Sequence, residues 1–321
     1  MQSGAAMATL GAMFGAEGGK TFMGLPEALG PADLQGAAAV IIGADGCTPY
    51  PSVGFYCAGG AAAIRAGGAA YAAAQGNMNF DTGLTVLPEG ARVLDGGDVP
   101  VDLADPEGNR AALRAAVAEI VAAGAVPILL GGDDSVPIPM LQAMEGQGPL
   151  TILQIDAHID WRDEVGGERW GLSSTMRRAS EMPDVGQIIQ VGSRGIGSAR
   201  PGDYVDACDW GVQFVHARKV AALGVAPTLA LIPDGARVVI CLDVDALDPA
   251  VMPAVIGRSA GGLTYWQVFE LIAGVAAKAK IAAFDVVEFM PERDIDGQGA
   301  LVAAQLLAGV IGLIAEQRSA A

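Results

Sequence analysis

Six short aliphatic runs punctuate the chain: Ala38–Ile42, Val126–Leu130, Leu150–Ile155, Ile188–Val191, Val238–Leu242 and Ile281–Val287. Each is bounded by turn-forming or charged residues, the pattern of buried β-strands. Between several of them the period changes to that of a helix. Asn109–Ala123 opens at an Asn suited to an N-cap and stops before Gly124. Thr264–Lys280 begins with the capping box Thr264-x-x-Gln267 and places Lys278 and Lys280 in its last turn, where cations suit the helix dipole. Ala300–Ala315 predicts a final amphipathic helix. Strands alternating with helices predict an α/β fold: a single three-layer α/β/α domain with a central, mainly parallel sheet. Gly and Pro are spread throughout and mark no linker, so residues 1–321 are expected to form one domain. Residues 1–30 read as an irregular N-terminal arm. Residues 43–60, rich in Gly, Pro and aromatics, read as a long functional loop.

Composition narrows the picture. About half of the residues are apolar and few are aromatic, so the core is expected to consist of Ala, Val, Ile and Leu with helices packed close to the sheet. The net charge of −17 disfavours nucleic acid, which needs basic patches, and suits a small cation, although acidity commonly serves solubility alone. No strongly apolar run of 18 residues is evident, so no membrane span is expected. The apolar stretch Ala5–Ala16 has no basic residue before it, which argues against a secretory signal. Cys47, Cys57, Cys208 and Cys241 show no CxxC pairing and read as reduced, buried thiols of a cytoplasmic protein.

The chemistry lies where polar residues follow the apolar runs. Asp156-Ala157-His158-Ile159-Asp160 follows Leu150–Ile155, and Asp243-Val244-Asp245-Ala246-Leu247-Asp248-Pro249 follows Val238–Leu242. If strand geometry continued, Asp156, His158 and Asp160 would share one face, as would Asp243 and Asp245. Ligands bind at strand ends in parallel α/β sheets. Four Asp converging there repel one another unless a cation is present, and two divalent metal ions are the simplest answer. Asp248-Pro249 reads as a turn. A third motif, Gly131-Gly132-Asp133-Asp134-Ser135, follows Val126–Leu130 and suits either a tight turn that caps the next helix or a contribution from Asp134 to the same crevice.

In this order the three motifs resemble the GGDHS, DAHxD and DxDxxDP runs of the ureohydrolase family, which includes arginases and agmatinases. Phe284-Asp285-Val286-Val287-Glu288 resembles that family's strand ending in a Glu that pairs with the substrate guanidinium. Thr21–Pro26 is similar to an agmatinase-type N-terminal segment. The resemblance spans the chain from about Thr21 to the last helix. It implies a metal-dependent hydrolase of a guanidino compound that releases urea and an amine by attack of a metal hydroxide. By position, His158 and Asp245 would hold one metal and Asp134 and Asp160 the other, with Asp156 and Asp243 bridging. Asp160 and Glu288 would be catalytic. Mn²⁺ is the expected ion; Ni²⁺ is an alternative that so oxygen-rich a shell suits less well. Family membership also implies a homo-oligomer, trimeric or hexameric, or a hetero-oligomer with a related subunit.

Two departures stand out. Asp134 takes the place of the family's usual His, so a fifth carboxylate exceeds what two divalent ions neutralise. The water between the ions should then be less acidic, or the first metal weaker. Ser173-Ser174-Thr175 stands where members often carry His-Gly-Thr, so the rim His is absent. The remaining His, His216, reads as structural. Among substrate-binding candidates, Glu288, Trp161 and Arg162 come first: Arg162 can meet a carboxylate, and Asp163 or Glu164 a cationic tail. Tyr50, Phe55 and Tyr56 would wall the pocket or pack on a neighbouring subunit. Agmatine, guanidino acids and substituted guanidines remain open; the agmatinase-like N-terminal segment disfavours arginine. The competing readings are a family member that has lost catalysis and serves as a structural or regulatory subunit, and a hydrolase of another amidine or amide C–N bond.

Overall fold

The computed structural model of the protein describes residues 19–197 and 199–319. The apolar stretch 5–16 and most of the expected N-terminal arm lie outside them. The core is one sheet of eight strands, numbered here in chain order: β1 Ala39–Gly43, β2 Val93–Asp98, β3 Val126–Leu130, β4 Leu150–Ile155, β5 Val185–Val191, β6 Gln213–Val215, β7 Arg237–Asp243 and β8 Lys280–Val287. Their spatial order is β2-β1-β3-β8-β7-β4-β5-β6, and every pairing is parallel.

Alternation along each strand builds two layers. Ile41, Ile128, Leu130, Ile155, Ile240 and Phe284 pack against the helices Gly60–Gly68, Tyr265–Lys278 and Gln298–Ser319. Val40, Ile42, Leu129, Ile152, Val239 and Val287 pack against the helices Pro106–Ala122, Pro137–Ala143 and Thr175–Ala179. Burial on both faces explains why these strands read as unbroken apolar runs.

Local expectations were shifted at several places. The helix expected from Asn109 begins at Pro106, because Asp105 caps it by accepting from the Gly108 amide (2.9 Å), and Pro occupies the first turn, where no amide partner is lost. Asn109 lies inside that helix, and its side chain clamps the backbone of Asp102 through two bonds of 2.7 Å. The Thr264–Gln267 capping box forms, but the helix stops at Lys278, and Lys280 opens β8. The edge strand β2 carries only two aliphatic residues. It is held instead by Asp95, fully buried beneath Arg65 and the Phe22 amide, each at 2.8 Å. That anchor fixes the segment after Thr21, where Phe22, Met23 and Leu25 are buried.

Helix Gln298–Ser319 is longer and less one-sided than expected. It is apolar enough to cross a membrane by length and composition, but 72% of its apolar window is buried within the fold, which makes it a core helix. Cys208 is exposed, unlike the other three cysteines.

Candidate metal and active site

The four motifs meet because β3, β8, β7 and β4 are adjacent in the middle of the sheet and run the same way. Neighbouring strands lie about 5 Å apart, so residues just past their C-terminal ends fall within ligand distance of one another. Each strand delivers its side chain by a turn, not by continued pleating.

After β3, Gly131 and Gly132 both adopt φ of +77°. A Cβ would meet the Ala61 amide nitrogen at 2.6 Å or the Ala44 carbonyl at 2.9 Å, so only Gly fits this close approach. After β4 the chain leaves the extended conformation at once. The His158 amide donates to Asp156 Oδ1 (2.6 Å), and Asp160 sits at φ +43°. After β7, Asp245 lies in a single 3₁₀ turn and its amide donates to Asp243 Oδ1 (2.7 Å). The expectation that period-two faces align these clusters therefore fails. Asx-type turns gather the carboxylates instead, because the side chains bond the next backbone amides. Glu288 follows β8 at φ +64°, its amide bonded to the Gly132 carbonyl (2.9 Å) and its Oε1 to the Asp134 amide (2.9 Å). Such strain in non-Gly residues persists only where the surroundings enforce it.

Two overlapping groups result. Asp156, His158, Asp243 and Asp245 offer ligand atoms within 4.8 Å of one another, and so do Asp134, Asp156 and Asp160. Asp156 belongs to both groups; Asp243 joins only the first. At an effective dielectric of about 20, two carboxylates at such distances repel by roughly 3–4 kcal/mol. Burial first, then neighbouring carboxylates, push Asp134, Asp160 and Asp243 well above the usual range. Burial opposes a charge on His158, but Asp156 and Asp245 outweigh it and push His158 up to about 12. Its Nδ1 lies 3.0 Å from Asp245 and 3.4 Å from Asp156. Burial and the Asp133 charge push Glu288 up to about 8 against its hydrogen bonds. Asp134 Oδ2 is buried without a hydrogen-bond partner.

A cavity of about 260 Å³ opens over the cluster and is walled by Tyr56, Trp161, Arg162, Ser173, Asp203 and Ile256. Tyr56 donates to both Glu288 oxygens (2.5 and 2.6 Å). Trp161 is nearly buried, and its indole N–H is taken by Asp206 (2.8 Å), so it forms wall and not a polar contact. Arg162 faces Asp203 at 3.4 Å. Asp163 pairs with Arg169 and Arg178, and neither it nor Glu164 reaches the cavity wall. Tyr50 accepts from the Ser173 amide (3.3 Å), while Phe55 packs over Gly46. Asp248 forms the expected turn by accepting from Ala250, Gly261 and Gly262. His216 stacks on Phe214, bonds Ser193 (2.7 Å) and stays outside the cavity.

Sequence reasoning missed several contributors. Arg194 donates to the carbonyls of Asp245, Ala246 and Leu247 and so holds the turn after β7. Asp285, fully buried with one oxygen unpartnered, is pushed up to about 7 by burial. Gln154 lies directly under Asp156 and Asp160. The polar letters inside apolar strands were the available signal for Gln154 and Asp285. Arg194 left none.

The fold and this cluster define an arginase-type hydrolase. The Arginase family model matches residues 40–312, and the chain belongs to that family, as a hydrolase of amidine C–N bonds. It is 34% identical over 244 residues to the mitochondrial agmatinase of Gallus gallus, covering 74% of this chain and 68% of that protein. It is also 34% identical to the mitochondrial guanidino acid hydrolase of Homo sapiens, covering 72% of this chain and 67% of that protein. The proclavaminate amidino hydrolase structure from Streptomyces clavuligerus superposes with a TM-score of 0.79 at 26% identity, over 94% of this chain and 99% of that one.

Proposed function

We propose that the protein holds two divalent cations at the C-terminal end of its sheet and hydrolyses a small guanidino compound to urea and an amine. One observation carries this reading: five buried acids, Asp134, Asp160, Asp243, Asp245 and Glu288, line one cavity, a sixth, Asp156, belongs to both ligand groups beside it, and among the described residues His158 is the one basic side chain in those groups. The donor set fits such ions. Asp156, His158, Asp243 and Asp245 would hold one, and Asp134, Asp156 and Asp160 the other. The unpartnered Asp134 oxygen supports a ligand role, with Asp134 in place of the family's usual His. Five carboxylates and one imidazole favour Mn²⁺ over softer ions.

The cations, when bound, supply the Lewis acidity that makes water a nucleophile at neutral pH. The chain's own residues do the rest. Glu288 presents two oxygens to the guanidinium, and Tyr56 yields one or both of them as substrate enters. Ionised Glu288 pairs with the substrate charge and orients the central carbon toward the ligand clusters. The buried ring of Trp161 limits water at the cavity wall. Arg162 and Asp203 oppose each other at the cavity wall and give the tail one site of each sign. The names of the curated relatives, an agmatinase and guanidino acid hydrolases, support both tail types. Exposed Phe80, Met78 and Trp266 around one groove support an interface with another subunit, and the family resemblance suggests a trimer or hexamer.

Urea release by the purified protein, loaded separately with Mn²⁺ and Ni²⁺, tests the reading across agmatine, guanidinobutyrate, guanidinopropionate and arginine. Metal-dependent urea is expected from at least one. No urea with metal content verified moves the assignment to a catalytically silent subunit or another C–N bond.

A further inference from the structure

A row of polar side chains crosses the sheet beneath the cluster. Register places Gln190 of β5 opposite Gln154 of β4, Gln154 opposite Cys241 of β7, and Cys241 opposite Asp285 of β8. All four are at most 1% exposed. The interior of a parallel sheet normally excludes such groups, because a buried amide without partners costs about 1–3 kcal/mol.

Two of the four reach the cluster as a chain. Gln154 Nε2 donates to Asp156 Oδ2 (2.7 Å) and Asp160 Oδ2 (2.6 Å). Gln154 Oε1 accepts from Gln190 Nε2, which also donates to the Ile159 carbonyl (2.7 Å). Ionised carboxylates only accept, so the Gln154 amide must present its nitrogen to them and its oxygen to Gln190. The orientation of both amides is thereby set.

We propose that Gln154, clamped by Gln190, is a positioning residue that fixes the spacing of Asp156 and Asp160 and so decides whether the second cation binds. Asp160 needs such a clamp because its backbone is in the left-handed region. A neutral amide supplies two donors without cancelling the charge that attracts the ion. The other ligand group relies on its own turns: Asp243 accepts from the Asp245 amide, and Asp245 from the Ala157 amide (3.1 Å). Loss of Gln154 should therefore act on the two positions unequally.

The inference rests on the dinuclear reading, and one titration separates their failures. Wild type, Gln154→Leu, Gln154→His and Gln190→Leu are titrated with Mn²⁺; bound ions are counted after dialysis and thermal midpoints recorded. Wild type should bind two ions. Gln154→Leu should keep one and lose about 10- to 100-fold in affinity for the second. Gln154→His, which can still donate one N–H, should recover part of the loss, and Gln190→Leu should fall between. Fewer than two ions in wild type overturns the dinuclear reading and this assignment with it. Two ions bound to Gln154→Leu as tightly as to wild type overturns the positioning role alone. Should Gln154→Leu not fold, unchanged second-ion affinity in Gln190→Leu overturns it.

Discussion

The two ends of the sheet carry opposite charge, and the larger cavity is at the end that lacks the ligand cluster. At the N-terminal ends of β3, β7 and β8, a cavity of about 690 Å³ is lined by Arg237, Lys278, Lys280 and Arg318 and, among the described residues, by no carboxylate. At the C-terminal ends, a cavity of about 260 Å³ is lined by Asp and Glu. Two of these four cations are answered where they stand. Lys278 meets Asp234 (3.0 Å) and the Leu229 carbonyl (3.2 Å), and Arg318 meets the Gly124 carbonyl. Helix C-termini gather at that end, and their free carbonyls attract Lys and Arg. At the other end His158 answers Asp156 and Asp245, and Arg162 answers Asp203, but among the described residues no cation pairs with Asp134, Asp160 or Asp243. Repulsion left uncompensated in the fold, more than cavity size, marks the site.

Asp156→Asn should break the contrast most severely, because Asp156 joins both ligand groups. Loss of both Mn²⁺ equivalents is expected by atomic emission, whereas Asp243→Asn should chiefly affect the group containing His158. Retention of both ions in Asp156→Asn would refute its bridging place. Glu288→Gln keeps shape but removes the charge that faces the guanidinium. A charge-assisted bond contributes about 1.5–3 kcal/mol, so kcat/KM should fall roughly 10- to 150-fold with metal content unchanged. A parallel loss of metal would instead make Glu288 part of the ion site.

Titration sharpens the comparison further. In metal-free protein, Asp133 is pushed up to about 6, Asp285 to about 7 and Glu288 to about 8, burial being the main cause in each. Unfolded carboxyls ionise near pH 4, so between that pH and about 8 the folded state binds more protons. Metal-free stability should fall as pH rises through this window, and Mn²⁺ should raise the thermal midpoint more at pH 8 than at pH 5. A metal-free midpoint independent of pH over that range would contradict the charge picture. The smallest effect is expected at the opposite end: Arg237→Gln should leave turnover within about twofold, as for a surface change away from the chemistry. A larger drop would couple the two ends.

Much of this contrast was legible beforehand. β3 and β4 have the bounds read from their aliphatic runs, since burial on both faces leaves no polar interruption at their ends. β2 was not legible, because it carries only two aliphatic residues, Val93 and Leu94, and is otherwise anchored by the Arg65–Asp95 pair. The Asp and His of the motifs were readable as chemistry, and the cavity gathers them. Their local geometry was misread: strand periodicity was extended past Ile155 and Leu242 into segments that turn. Tyr56 was named as a wall residue, but its hold on Glu288 spans 232 positions in the chain, which no local pattern encodes.

The linear chain by itself determined which residues are chemically suited to cations and which runs must be buried, because side-chain chemistry and hydrophobic period are local properties. Only tertiary structure decided that β3, β8, β7 and β4 stand side by side and that Asp156 serves two groups. It alone put Gln154 beneath Asp160 and Asp163 away from the cavity. Strand order and side-chain direction follow from long-range packing, in which the lowest-energy arrangement of the whole sheet selects the neighbours of each residue.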